Sequence, residues 1–172
     1  MTEIRVRSLT EEDWGSFRSI RLAALAESPE AFVATHEQEL DYDEDFWRLR
    51  MRRAQRLLAE VEDEQVGTVS VGVLEDAENT AEIFGLWVHP SWRGRSVAAT
   101  LVRSASEQAA DDGYERIAYW VGTDNGRAVA FASSFGFRPT GRRRPMRVSH
   151  GNDDEEEIAM VLSLTADRGV MH

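Results

Sequence analysis

No cysteine and no lysine occur among the 172 residues; all 20 basic residues are arginine. Without cysteine the chain has no disulfide, no thiolate nucleophile and no cysteine-ligated zinc, and a reducing compartment is its natural setting. Without lysine it has no Schiff-base chemistry and no Walker-type phosphate lysine. Long apolar runs are missing too. The N-terminal MTEIRVRSL lacks the apolar core of a secretion signal, and no segment approaches bilayer-spanning length. The expectation is a cytoplasmic protein with no membrane partner. Positive surface is scarce: a formal net charge of −11 argues against a nucleic-acid partner, because neutralising phosphates requires a basic face. What is present is length enough for one domain over residues 1–172, with a core that needs no metal or disulfide staples. The tail after about residue 165 is expected to be loose.

Periodicity divides the chain into alternating elements. Ile4 and Val6 alternate with Arg5 and Arg7, a short half-buried strand over 3–8. Thr10 followed by Glu11, Glu12 and Asp13 reads as a capped helix start. The helix carries Trp14, Phe17, Ile20, Leu22, Ala24 and Leu25 inward until Ser28-Pro29 stops it. Residues 30–45 read as an irregular segment, and a helix follows from about Glu44 to Arg53. Residues 56–61 and 65–74 form a hairpin about the turn Glu62-Asp63-Glu64. A strand over 81–88 leads into a helix reaching about Asp112, capped by Gly113. A strand at 116–121, a helix at 125–135 and a strand begun by Gly136-Phe137 come next. Residues 142–154 read as a polar loop, and 157–164 as the closing strand. The resulting order, β-α-α-β-β-β-α-β-α-β-β, gives an α+β fold: a mixed, mostly antiparallel central sheet flanked by helices.

The stretch Leu86 to Leu101, LWVHPSWRGRSVAATL, carries the strongest chemical pattern. Proline after His89 ends the strand, a basic glycine-containing turn follows, and a helix opens at Val97. The first amides of that helix have no intrahelical acceptors and lie at its positive end, so the turn is built to receive an anion.

Together with a second pattern, this stretch resembles the GNAT superfamily of acetyl-CoA-dependent N-acetyltransferases. The acyl-CoA signature of that family, Arg/Gln-x-x-Gly-x-Gly/Ala, reads here Arg93-Gly94-Arg95-Ser96-Val97-Ala98. The second motif, Asn-x-x-Ala-x-x-hydrophobic followed by Gly-Phe, reads Asn125-Gly126-Arg127-Ala128-Val129-Ala130-Phe131, then Gly136-Phe137. The resemblance covers roughly residues 3–164 and implies the GNAT-like (acyl-CoA N-acyltransferase) fold, with acetyl-CoA as cosubstrate. It further implies that the backbone from Gly94 through Arg95, Ser96 and Val97 to Ala98 holds the pyrophosphate. Arg93 and Arg95 would add charge there, as the guanidinium's affinity for phosphate allows. Trp87 and Val88 would pair with the pantetheine arm through their main chain, and Asn125 would lie beside it. Helix capping is the other reading of Asn125. Two residues depart from the family pattern. Ser96 stands where the signature has its central glycine, and Ala132 stands where the family carries a tyrosine that reprotonates the thiolate. Ser133 and Ser134 are the neighbouring hydroxyls.

An alkylamine acceptor is mostly protonated at neutral pH, and freeing the attacking form costs about 4–5 kcal/mol. A carboxylate near the nitrogen can take that proton. Glu82 is the candidate, six residues before Val88, where family members that use a glutamate base place it. Even spacing sets Glu82 on the face of Phe84, Leu86 and Val88 unless a bulge intervenes; an exposed strand glutamate is the other reading. Asp41, Asp43, Glu44 and Asp45 lie where the family builds part of its acceptor site, and they fit either a cation site or a helix cap. His89 reads as structural, and His36 and His150 lack ligand-like partners, so no metal is expected.

The resemblance therefore implies acetyl transfer from acetyl-CoA to a primary amine, expected to be direct in a ternary complex because the chain has no cysteine for an acyl-enzyme. The acceptor is a small-molecule or peptide amine, the latter including a protein N-terminus or lysine. A homodimer follows only by family analogy. The alternative class is a degenerate acyl-CoA-binding sensor or interaction module, favoured by Ser96 and Ala132.

Overall fold

The computed structural model describes residues 3–146 and 155–164. Seven strands form one sheet in the order β1-β2-β3-β4-β5-β7-β6. They are β1 Arg5–Leu9, β2 Gln55–Val61, β3 Glu64–Val73, β4 Thr80–Val88, β5 Arg116–Gly122, β6 Arg138–Pro145 and β7 Glu156–Ser163. Only the β4–β5 pair is parallel, and a helix crossover joins its two strands. The mixed, mostly antiparallel sheet expected from the element order is the one observed. The β2–β3 hairpin turns through Glu62 and Asp63, both at positive φ, as a tight two-residue loop requires.

Helices cover both faces. On one, α4 (Val97–Asp111) and α5 (Gly126–Ser134) lie over a core that includes Val69, Ile83, Leu101, Ile117, Phe137 and Met160. On the other, α1 (Trp14–Glu27) and α3 (Glu44–Arg53) enclose Phe17, Ile20, Leu25, Trp47, Leu58 and Trp87. Phe17, Ile20, Leu22, Ala24 and Leu25 point inward as the α1 pattern indicates, and α3 occupies the expected residues.

Two expectations fail. The segment over 30–45 holds a five-residue helix, α2 (His36–Leu40), whose one buried side chain is Glu39. Arg142, Arg143 and Arg144 belong to β6 rather than to a loop: that strand pairs only with β7 and buries no residue, so it shows no apolar alternation. The remainder of the expected loop, including His150, and the expected loose tail lie outside the described residues. No helix among the described residues is long and apolar enough to cross a membrane.

Two features of the sheet position the site. First, β4 carries a bulge. Ser70 faces Phe84 and Thr68 faces Trp87, so Gly85 and Leu86 together oppose Val69 alone. Gly85 takes φ +64°, a conformation that suits glycine. The extra residue inverts the facing of the strand. Ile83 and Val88 therefore share the α4 core, while Trp87 joins the α1–α3 core. Glu82 and Phe84 stay on the α1–α3 side, and the even-spacing expectation that put Val88 with them is corrected by that one residue. Second, β4 and β5 pair only from Thr80–Arg116 to Ile83–Tyr119. Beyond that point β5 continues beside β7 and β4 beside β3. A gap opens between the two parallel strands.

Candidate active site

The gap is bounded by main chain on the β4 side. The His89 amide donates to the Val66 carbonyl on β3 at 2.8 Å. Ladder alternation then turns the Val88 amide and carbonyl to the opposite edge, toward β5. The Val88 carbonyl accepts from Arg93 Nε at 3.0 Å on that side. Trp87 contributes differently: its backbone is directed to Thr68, and its indole is buried with Nε1 3.3 Å from Ser28 Oγ. Of the two residues expected to present main chain to a ligand arm, Val88 faces the gap and Trp87 faces β3.

At the end of β4, a 3₁₀ turn over Pro90–Trp92 is capped by His89, whose Nδ1 accepts from the Ser91 amide at 3.1 Å, in line with a structural role. Trp92 Nε1 anchors the turn to Glu64 at 2.8 Å. Gly94 and Ser96 then both adopt left-handed backbone, with φ +77° and +71°. Ser96 thus keeps the glycine conformation of its position at a cost of roughly 1–2 kcal/mol. Its side chain makes no capping bond, and the first intrahelical bond of α4 runs from the Thr100 amide to the Ser96 carbonyl. The amides of Val97 and Ala98 lie before that bond and have no acceptor within the helix. Left-handed turns followed by such amides form an anion-binding concavity. Arg95 is exposed and stacks on Trp92 at 5.1 Å, while Arg93 straps the turn back to Val88. Gly67 lets the start of α4 pack closely on the sheet, since a Cβ there would meet the Trp87 carbonyl at 3.0 Å and Val97 and Leu101 at 3.1 Å.

Across the gap, Asn125 caps α5, its Oδ1 accepting from the Ala128 amide at 3.1 Å. Ala132 is buried in the core and brings no proton donor. The Ser134 hydroxyl is spent on the Phe131 carbonyl at 2.5 Å. Tyr119, which the sequence did not single out, faces Ile83 at the last paired position and lines the gap. Burial pushes its phenol above the ordinary range, so it stays protonated.

A cavity of about 700 Å³ occupies the gap and runs to the loop before α2; its walls include Phe84, Gly85, Leu86, Tyr119, Trp120 and Phe32. That volume lies within the range of small-molecule sites. Glu82 is half-buried on an adjoining cleft, and Trp120, which borders both spaces, donates from Nε1 to Glu82 Oε1 at 3.1 Å. Arg144 stacks on Trp120 at 3.9 Å and is held by Glu157, and Arg143 lies 3.9 Å from Glu156. Two of the acidic residues singled out near α3, Asp43 and Glu44, serve that helix. Asp43 caps α3 through the Phe46 amide, and Glu44 pairs with Arg48 at 2.8 Å.

The acetyltransferase (GNAT) family model matches residues 9–137. The chain belongs to this family. An uncharacterised N-acetyltransferase of Methanocaldococcus jannaschii is 26% identical over 139 residues, which are 77% of this chain and 59% of that protein. Human N-acetyltransferase 8 is 33% identical over 88 residues, 49% of this chain and 39% of the human protein. This GNAT chain thus spans only part of the length of the curated relatives it matches. An N-acetyltransferase from Staphylococcus aureus superposes with a TM-score of 0.69 at 15% identity, covering 94% of this chain and 99% of the other. A protein from Salmonella typhimurium, described as a proposed acetyltransferase and solved with its cofactor acetyl-CoA, superposes at 0.68 and 17% identity over 94% of each chain. These likenesses establish the fold. In this GNAT chain, the parted strands and the uncapped start of α4 adjoin one another at the end of β4.

Proposed function

We propose that this chain is an acetyl-CoA-dependent N-acetyltransferase acting on a primary amine by direct transfer in a ternary complex. The observation that carries this reading is the parting of β4 and β5 beyond Ile83 and Tyr119 beside an uncapped helix start. The amides of Gly94 to Ala98 suit a pyrophosphate, with Arg95 adding charge. The Val88 amide suits an extended amide-bearing arm lying in the gap, and Asn125 flanks that arm from the start of α5.

Acetyl-CoA supplies an activated acyl thioester. The acceptor nitrogen forms the new C–N bond, the C–S bond breaks, and sulfur leaves with the electron pair. Glu82, on the cleft that adjoins the gap, accepts the nitrogen's surplus proton by way of water, its carboxylate held by Trp120 Nε1. Tyr119 takes the part that Ala132 cannot play. A buried phenol is a weaker acid than a thiol of ordinary pKa near 8.5, so Tyr119 donates a hydrogen bond to the departing sulfur rather than a whole proton.

Isothermal titration with acetyl-CoA tests the cosubstrate, and no binding at hundreds of micromolar rejects the reading. Thiol release with a panel of amines and peptides, including protein N-termini and lysine side chains, tests transfer. A second reading, a binding module without turnover, rests on the burial of Ala132 where a proton donor would stand. Acetyl-CoA binding without thiol release from any acceptor would favour it.

A further inference from the structure

Four charged side chains that the transfer chemistry leaves unused meet beside the bulge. Glu39 of α2 is 2% exposed and is shared by two arginines. Arg21 of α1 grips it at both ends, Nε to Oε1 at 3.0 Å and Nη2 to Oε2 at 2.9 Å, and Arg50 of α3 donates to Oε1 at 2.7 Å. Arg56 of β2 is the third cation and has no carboxylate. It is 6% exposed, and its Nη1 and Nη2 reach only neutral oxygens, Ser70 Oγ at 2.8 Å and the Arg50 carbonyl at 3.0 Å. Its Nε is buried with no partner at all. Phe17 and Phe84 lie against the guanidinium at 4.6 and 5.5 Å.

Three guanidinium charges therefore face one carboxylate, in a chain whose overall charge is −11. Burial, then the charges of Arg50 and Arg21, pull the Arg56 guanidinium down to about 9. A buried arginine without an anion is costly, and a bound anion would relieve it. There is room for one. A cavity of about 120 Å³ is walled by Arg21, Arg50, Arg56, Ser70, Phe84 and Gly85. Arg21, Phe32, Phe84 and Gly85 also border the larger gap cavity, so the two spaces adjoin at the bulge.

We propose that this pocket receives the carboxylate of the acceptor, and that the acceptor class is an amine bearing a carboxylate one or a few bonds from its nitrogen, as in a free amino acid. The arginines hold the acid group behind Phe84, and the nitrogen projects past Gly85 into the gap. Planar guanidinium donors match a carboxylate, whereas a cationic amine without one would meet net positive charge. This inference rests on the acetyltransferase reading for the transfer step and on the arginine pocket alone for the binding step.

The experiment has two arms. Thiol release from acetyl-CoA is measured with the twenty common L-amino acids and, for each one used, its carboxamide and its decarboxylated amine. The expected result is a kcat/KM at least about 100-fold higher for the acid, as a site built to bond a missing group rejects its analogues. In Arg56→Met and Arg56→Lys that preference falls to within a few-fold, while acetyl-CoA affinity is unchanged. Equal use of acid and carboxamide by the wild type, or a preference for the carboxylate-free amines, overturns the proposal. The second arm needs no turnover. N-acetylglycine and glycine, each at constant ionic strength against chloride, should raise the melting temperature of the wild type and leave that of both Arg56 variants unmoved. A wild type insensitive to both compounds overturns the carboxylate pocket even if acetyl transfer is intact. A carboxylate-dependent shift without thiol release keeps the pocket and rejects the transferase reading.

Discussion

Replacing Glu39 by Gln keeps the volume of the side chain and removes its charge. In the wild type the carboxylate accepts three guanidinium hydrogen bonds at 2.7–3.0 Å while 2% exposed. A glutamine can accept at one end only and turns an NH₂ group toward a guanidinium at the other. Arg21 or Arg50 then joins Arg56 as a buried cation without an anion. Removing one partner of a buried charge pair costs about 3–5 kcal/mol, which in a domain of this length lowers the melting temperature by roughly 6–20 °C. The pH dependence provides an internal check. Burial by itself would raise the Glu39 carboxyl, but the hydrogen bonds from Arg21 and Arg50 outweigh it and hold the group below its ordinary value of 4.5. Its contribution is therefore complete above that ordinary value and is lost as pH falls through the lowered one. Urea melts of wild type and Glu39→Gln should differ by the full amount at pH 7, and the difference should shrink from pH 5 to pH 3. A loss under about 1 kcal/mol at pH 7, or a difference constant over that acid range, refutes the account.

Four further outcomes follow from the site. Ser96→Gly should stabilise the protein by about 1 kcal/mol in thermal melts, by relieving left-handed backbone, and should tighten acetyl-CoA binding in titration calorimetry. Gly67→Ala forces a Cβ against the Trp87 carbonyl and α4; it should cost about 1–3 kcal/mol and weaken acetyl-CoA binding several-fold. Tyr119→Phe should lower kcat about tenfold or more with KM for acetyl-CoA little changed, as steady-state kinetics will show. Glu82→Gln should depress kcat most at low pH, where the amine is most protonated, so an unaltered pH–rate profile removes Glu82 as the base.

Where hydrophobic period and local turn chemistry decide the structure, the sequence is readable. The α3 boundaries, the β2–β3 hairpin and the strand–turn–helix at Val88 to Val97 all fall where pattern and proline place them. Where neither applies, it is not. Helix α2 buries a glutamate, and β6 buries nothing, so periodicity has no signal to give there. The bulge changes every facing after Gly85, and a lone glycine in a strand only hints at it. The arginine pocket draws Arg21, Glu39, Arg50 and Arg56 from α1, α2, α3 and β2, and no spacing rule links them. Arg56 alone left a trace, as a charged residue at the head of the apolar run Leu57-Leu58-Ala59.

The inversion at Gly85 has a consequence for how this scaffold can change. Strand β4 behaves as two half-strands with independent facing, one ending at Phe84 and the other beginning at Leu86. In the first half Phe84 borders the arginine pocket while Ile83 faces α4; in the second Trp87 faces the α1–α3 core and Val88 the core beneath α4. Substitutions in one half leave the orientation of the other untouched, so the wall of the arginine pocket can be altered while the turn before α4 keeps its shape. Deleting a single residue between Phe84 and Trp87 would leave one residue opposite Val69 and restore a regular ladder, with Trp87 and Val88 still on their present faces.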